Sequence, residues 1–153
     1  MGAQLVVTGQ TGKFAETSLG LVPASHLRPA GDWLTDPVAV AERFLGTPYL
    51  WGGNTRAGLD CSGLAQIAHL ACGIGFAGDS DLQESAGREI GPDEALRRGD
   101  LLFWPGHVAL VVDGVRLIHA NGHSMSVAYE GIVDCVARVL AAEGLPVRCR
   151  RRL

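Results

Sequence analysis

The spacing of apolar positions changes character along the chain. In residues 1–30 the runs "QLVV", "GKFAET" and "GLVPASHL" are short and separated by Gly- or Ser-rich breaks, which predicts short strands joined by turns. "PAGDWLTDP" (29–37) is Pro-rich and polar and marks a boundary, with one segment at 1–30 and the main domain at 31–153. Asp36 followed by Pro37 reads as an N-cap with proline at the first helical position. Val38, Ala41 and Leu45 then recur at helical spacing, and Gly46 closes the helix. A second helix begins near Cys61. Its buried face is Leu64, Ile67, Ala68 and Ala71, and Gly73 is the expected C-cap.

Residues 74–99 are loop-rich, with a short helix expected around "DEALRR". The period then drops to that of strands in "DLLFW", "HVALVV" and "VRLIHA", and "VDCVARVLAAEG" returns to helical spacing. Helices followed by an antiparallel sheet predict an α+β fold rather than a doubly wound one.

A chain of 153 residues suits one main domain. At that length it buries roughly 70% of its unfolded surface, enough for a core without disulfides or metal. No apolar run approaches the roughly 18 residues of a membrane span. The N-terminal "MGAQLVVTGQTGKFAE" has neither a basic n-region nor an apolar h-region, so no signal peptide is visible. A cytoplasmic protein, or a chain whose native start lies elsewhere, is expected from that. Net charge is −3, and the only basic cluster is the terminal "RCRRRL", read as a solvated tail. Without a basic stripe carrying interleaved aromatics, nucleic acid is excluded as a partner.

Cys61, Cys72, Cys135 and Cys149 form no Cys-x-x-Cys pair, so neither a metal site nor any other cofactor is expected. Cys72, Cys135 and Cys149 read as small, part-buried hydrophobes. Cys61 differs because it opens a helix, where unpaired N–H groups and the macrodipole favour a thiolate. A nucleophile also needs a base, and the base needs a group to orient it.

Of the five histidines, His26 and His123 read as solvated loop residues. His69 reads as a partly exposed position on the Cys61 helix, two turns from the thiol. His107 and His119 lie on neighbouring strands and can meet edge to edge, His107 as base and His119 as its orienter. That requires an odd loop between the strands. A three-residue loop of Val112, Asp113 and Gly114 would pair Val111 with Val115 and set His107 opposite His119. Gly114 would then be at positive φ, the two imidazoles would face Cys61, and Arg116 and Ile118 would point away. Asn121 is the next candidate if His119 lies on the other face.

"PYLWGG", "DCSGLAQ", "RGDLLFWPGHVALV" and "LIHANG" together resemble the successive signatures of the NlpC/P60 cysteine peptidases, papain-like bacterial enzymes that cut peptidoglycan peptides. The resemblance covers about residues 37–140, and the interval from His107 to His119 also matches. It implies Cys61 as nucleophile, His107 as base and His119 as the third polar residue. Tyr49 would line the oxyanion region. Asp60, Ser62 and Ser80 would bind the free amine of an N-terminal L-alanine. Asp60 and Ser62 can equally be read as caps of the Cys61 helix, and the two roles are compatible.

The implied activity is hydrolysis of the bond between γ-D-glutamate and a diamino acid, either meso-diaminopimelate or lysine. A CHAP-type N-acetylmuramoyl-L-alanine amidase and a catalytically silent wall-binding module are the alternatives. "GLVPASHLRP" resembles the end of a bacterial SH3 domain (SH3b), of which only about half would be present, implying a truncated chain. Nothing in the sequence indicates the oligomeric state.

Overall fold

The computed structural model describes residues 3–153. They form two compact units, one ending at Trp33 and the other running Leu34–Leu153. The first unit is an antiparallel meander of β1 (Val7–Thr11), β2 (Phe14–Thr17) and β3 (Gly20–Pro23), followed by a 3-10 turn at Ala24–His26. Its three strands do not close a barrel. The first strand starts at Val7, so "QLVV" largely precedes it.

The second unit opens with α1 (Pro37–Glu42), where Asp36 Oδ1 accepts hydrogen bonds from Val38 N and Ala39 N ahead of Pro37. The helix stops at Glu42 and continues as turns. Leu45 is therefore exposed instead of completing the buried face. The two-residue strands β4 (Asn54–Thr55) and β5 (Gly58–Leu59) lead into α2 (Cys61–Leu70). This helix is buried on more than the expected stripe: Leu64, Ala65, Ile67 and Ala68 enter the core, and so does His69. Burying a Leu or Ile contributes roughly 1.5–3 kcal/mol each, which anchors the helix firmly.

The expected helix at "DEALRR" is a set of turns. A short helix forms earlier instead, at α3 (Ser80–Gln83), followed by β6 (Arg88–Glu89).

The sheet consists of β7 (Leu101–Trp104), β8 (His107–Val111), β9 (Arg116–Asn121), β10 (Ser126–Gly131), β11 (Cys149–Arg152) and β6, in the order β10-β9-β8-β7-β11-β6. Every pairing is antiparallel. α4 (Ile132–Glu143) ends on Gly144 in the left-handed conformation.

One face carries Leu101, Phe103, Val108, Leu110, Ile118 and Ala120, packed with Val38, Cys61 and Leu64. The other carries Leu102, Trp104, Ala109, Val111 and Leu117, packed with Cys135 and Val139 of α4. Among the described residues no helix is long and apolar enough to cross a membrane.

The C-terminal arginines correct the expectation of a solvated tail. β11 lies inside the sheet between β7 and β6, pairing Cys149 with Phe103 and Arg151 with Glu89. Arg152 places Nε 2.7 Å from Oδ1 and an Nη 2.7 Å from Oδ2 of the buried Asp100, and it also pairs with Glu94. The inward position of Arg152 is hidden from hydropathy because its partners, two acids distant in sequence, supply the compensation.

Candidate active site

The hairpin between β7 and β8 is a two-residue turn, Pro105–Gly106, with Trp104 paired to His107. Gly106 has φ 73°, a conformation that glycine adopts at little cost after a proline in such a turn. The turn makes His107 the first residue of β8 and turns the Gly106 carbonyl toward α2. Cys61 Sγ lies 3.9 Å from that carbonyl oxygen.

The start of α2 is built around Asp60. Its Oδ1 accepts from Gly63 N at 2.7 Å and from the Ser62 hydroxyl at 3.1 Å, and its Oδ2 accepts from Gly52 N at 2.8 Å. This is the cap the sequence suggested, extended to tie down the "WGG" loop. Gly63 is required by close approach. A Cβ there would stand 2.4 Å from the Gly53 carbonyl oxygen, which accepts Asp60 N.

His107 Nε2 and His119 Nδ1 are 2.9 Å apart, and the rings meet edge to edge. The expected pairing is thus present, but the loop is shifted. Val111 pairs with Leu117 and Leu110 with Ile118, so the three loop residues are Asp113, Gly114 and Val115. Asp113 Oδ1 accepts from Val115 N and Arg116 N, and that Asx-type turn replaces the glycine device. Gly114 is not at positive φ. Continuing the register sets Ala109, not His107, across from His119, and the imidazoles meet on the diagonal.

The loop remains odd, so both rings share a face. That face is the one α4 covers, since Trp104, the partner of His107, packs there. Ile118 lies with Cys61 on the other face. The imidazoles therefore do not face α2 across the sheet. The thiol meets β8 at the strand's end, beside Gly106. No hydrogen bond among the described residues joins Cys61 Sγ to either ring.

Burial outweighs the helix start at the thiol. Desolvation pushes the Cys61 pKa up, with the Asp60 charge adding to it, against the N–H groups of Val108, Ser62 and Cys61 that pull it down. Burial thus favours the neutral thiol, against the thiolate that the helix start alone favours. Burial lowers His107 to about 4 and His119 to about 3, so both imidazoles are neutral at pH 7.

Tyr49 is half-buried against the same core, with its N–H donating to the Met125 carbonyl. Its phenol pKa is raised by desolvation and then by the charges of Cys61 and Asp60. Ser80 is buried at the start of α3, whose Gln83 donates to the Ser62 carbonyl at 3.0 Å. No hydrogen bond among the described residues joins Ser80 to Asp60 or Ser62. Asn121 is occupied by the turn, accepting from Ser124 N and Oγ.

His69 is corrected from partly exposed to fully buried. It stacks on Phe76 at 4.3 Å with Nδ1 2.7 Å from the Ala65 carbonyl, which satisfies a ring the pattern assigned to the surface. Cys135 is buried, with its pKa pushed up to about 12, and is inert as a thiol.

Glu130 on β10 was not visible as a site residue. Its Oε2 is 3.1 Å from His119 Nε2, close but off the ring's N–H axis, and Arg138 grips both carboxylate oxygens at 2.8 Å. An acid eleven positions after His119, on the adjoining strand and paired with Leu117 two residues before the histidine, was the only available signal. His119, Glu130 and Cys135 offer ligand atoms within 4.8 Å of one another. The Arg138 guanidinium already holds the carboxylate there and would repel a metal cation.

The family model for the NlpC/P60 family matches residues 46–136. The chain is 35% identical over 117 residues to dipeptidyl-peptidase 6 of Lysinibacillus sphaericus, covering 76% of this chain and 43% of that protein. It is 34% identical over 107 residues to the γ-D-glutamyl-L-lysine dipeptidyl-peptidase of Bacillus subtilis, covering 65% and 35%. It spans less than half the length of either relative. The crystal structure of the NlpC/p60 domain of the peptidoglycan hydrolase SagA superposes with a TM-score of 0.63 at 35% identity, covering 76% of this chain and 96% of that one.

Proposed function

The chain belongs to the NlpC/P60 family, and we propose that it is a cysteine peptidase hydrolysing peptidoglycan stem peptides at the bond between γ-D-glutamate and a diamino acid. The observation that carries this reading is the thiol of Cys61 at the start of α2, set against the strand end that begins with His107, itself bonded to His119. The relative that acts on γ-D-glutamyl-L-lysine supports the choice of bond.

In this reading a neutral thiol and a neutral imidazole act together. As Cys61 Sγ attacks the scissile carbonyl carbon, its proton passes to His107, and the carbonyl oxygen becomes an oxyanion. In this reading the Cys61 N–H and the Tyr49 hydroxyl donate to that oxyanion. His107 returns the proton to the leaving amine of the diamino acid as the C–N bond breaks. Water, deprotonated by the same imidazole, then cleaves the thioester and regenerates the thiol. His119 orients His107 through the 2.9 Å bond.

Asp60 and Ser62 take part in recognition of a free N-terminal amine as well as in capping. An ionised carboxylate has about four acceptor sites. Asp60 uses three on Gly63, Ser62 and Gly52, leaving one for an ammonium group. Ser80 completes that subsite if α3 shifts on binding.

Incubation with L-Ala-γ-D-Glu-meso-diaminopimelate and with intact sacculi tests the function. Release of the free dipeptide L-Ala-γ-D-Glu is expected. Scission between sugar and peptide would indicate an amidase, and binding without products a wall-binding module.

We take residues 31–153 as the catalytic domain and the N-terminal meander as the closing part of a bacterial SH3 domain, supported by "GLVPASHLRP" and the three antiparallel strands. Grafting residues 7–26 in place of the last strands of such a domain should give a folded barrel, and an unfolded chimera would overturn the assignment.

A further inference from the structure

The imidazole pair has a chemical ambiguity that a third residue resolves. We propose that Glu130, held by Arg138, is a positioning residue that sets the tautomers of His119 and His107 so that the bare ring nitrogen is His107 Nδ1. The inference rests on the cysteine-peptidase reading above and deepens it.

A neutral imidazole carries one N–H, so the bond between His107 Nε2 and His119 Nδ1 can be made in two ways. If His119 Nδ1 donates, His119 Nε2 is bare, with its lone pair 3.1 Å from the negative charge of Glu130 and off the ring's axis. The proton of His107 is then on Nδ1, and its bonded Nε2 is no longer free to act. If His107 Nε2 donates, His119 carries its proton on Nε2, where the nearby carboxylate attracts it by charge and not through an aligned hydrogen bond, and His107 Nδ1 keeps a free lone pair. An ionised carboxylate only accepts, so it favours the second arrangement.

Arg138 makes this choice robust. Its guanidinium bonds both oxygens of Glu130, and together with the Cys135 thiol it holds that carboxyl at about 2, ionised throughout the neutral range. Its charge also opposes a second proton on His119. A doubly protonated His119 would donate from both nitrogens and force the proton of His107 onto Nδ1. The titratable groups around the pair are therefore Glu130 from β10 and Cys135 and Arg138 from α4, with His123 and Tyr129 lining the same cavity as His119 and Glu130. Trp104 packs against His107 as a neutral wall.

The test uses the full chain. ¹⁵N spectra of labelled histidine at neutral pH should show His107 and His119 both protonated on Nε2, and Glu130→Gln should introduce the Nδ1-protonated form at both rings. In peptide hydrolysis Glu130→Gln should lower kcat by about tenfold with KM unchanged, a fraction of the roughly 10²–10⁴-fold that a positioned general base contributes.

The acid limb of the kcat/KM profile should move in opposite directions in the two partners. It should fall to lower pH in Glu130→Gln, because the carboxylate favours protonated imidazoles, and rise in Arg138→Met, because the guanidinium opposes them. Arg138→Lys should restore the wild-type profile. Should Glu130→Gln not fold, the Met and Lys variants of Arg138 still decide. Unchanged tautomers and limbs, or limbs that move together, would reduce the ion pair to a purely structural role and overturn the inference. Absence of peptide hydrolysis by the wild type would instead overturn the peptidase reading, while the spectra would still decide the tautomers.

Discussion

His107 and His119 meet Nε2 to Nδ1 at 2.9 Å although the register of their strands sets them on a diagonal and not face to face. A diagonal neighbour in an antiparallel pair lies about 7–8 Å away, within reach of two imidazoles but not of shorter side chains. The pair therefore depends on both residues being large and planar. Period two also puts both on the face covered by α4, where Glu130 and Arg138 can engage the second ring.

Cys61→Ala is expected to reduce hydrolysis of the tripeptide below a few percent of wild type while leaving the circular dichroism spectrum and unfolding midpoint close to native, because it keeps Cβ and removes a single atom from the first turn of α2. His107→Ala should be nearly as severe. His119→Ala should be milder, since an orienting group is partly replaceable. Greater damage from His119→Ala than from His107→Ala would reverse the two roles.

Acetylation of the substrate's N-terminal alanine is expected to remove most of the turnover, because Asp60 has one acceptor site left and an acetamide brings no positive charge to it. The comparison is kcat/KM for free and acetylated L-Ala-γ-D-Glu-meso-diaminopimelate. Equal values would return Asp60 to the role of helix cap and loop tie alone.

Gly63→Ala is expected to destabilise the fold by roughly 1–3 kcal/mol, the cost of overpacking against atoms that cannot yield. The new Cβ would press on the Gly53 carbonyl oxygen, and the backbone there is already fixed by Asp60 N. Gly75→Ala is the matched control: nothing lies within 4 Å of its Cβ position, and its effect should stay within about 0.5 kcal/mol. Urea unfolding of both variants checks the contrast. Equal stabilities would mean that the loop at Gly53 moves freely.

Stability is expected to fall on acidification in two stages. His107 and His119 bind protons less readily folded, at about 4 and about 3, than at their ordinary value of 6.5. The unfolded chain takes up protons first, so their contribution is fully present above 6.5 and is lost as pH falls through that value toward the folded ones. His69, lowered by burial, acts in the same direction. Glu130, depressed from 4.5 to about 2 chiefly by Arg138, adds a second loss below 4.5. The urea midpoint followed from about pH 7 downward measures this. A midpoint that stays level to about pH 4 would show that the imidazoles are not held neutral in the folded chain.

The sequence by itself determined the local devices. Asp36–Pro37 begins α1, Asp60 caps the helix of Cys61, the strands at Leu101–Trp104, His107–Val111 and Arg116–Asn121 follow from their period, and the loop between the last two is odd. Each depends on neighbours a few residues apart, whose chemistry is written consecutively. Only the tertiary structure decided the burial of His69, the place of the arginine-rich β11 in the sheet, the desolvation that raises the Cys61 thiol, the sheet face taken by the two imidazoles, and the arrival of Glu130 near His119. In these cases the compensating partner is remote or the environment is collective. Phe76 stacks on His69, Asp100 neutralises Arg152, and the packed core desolvates the thiol more strongly than its helix terminus stabilises the charge.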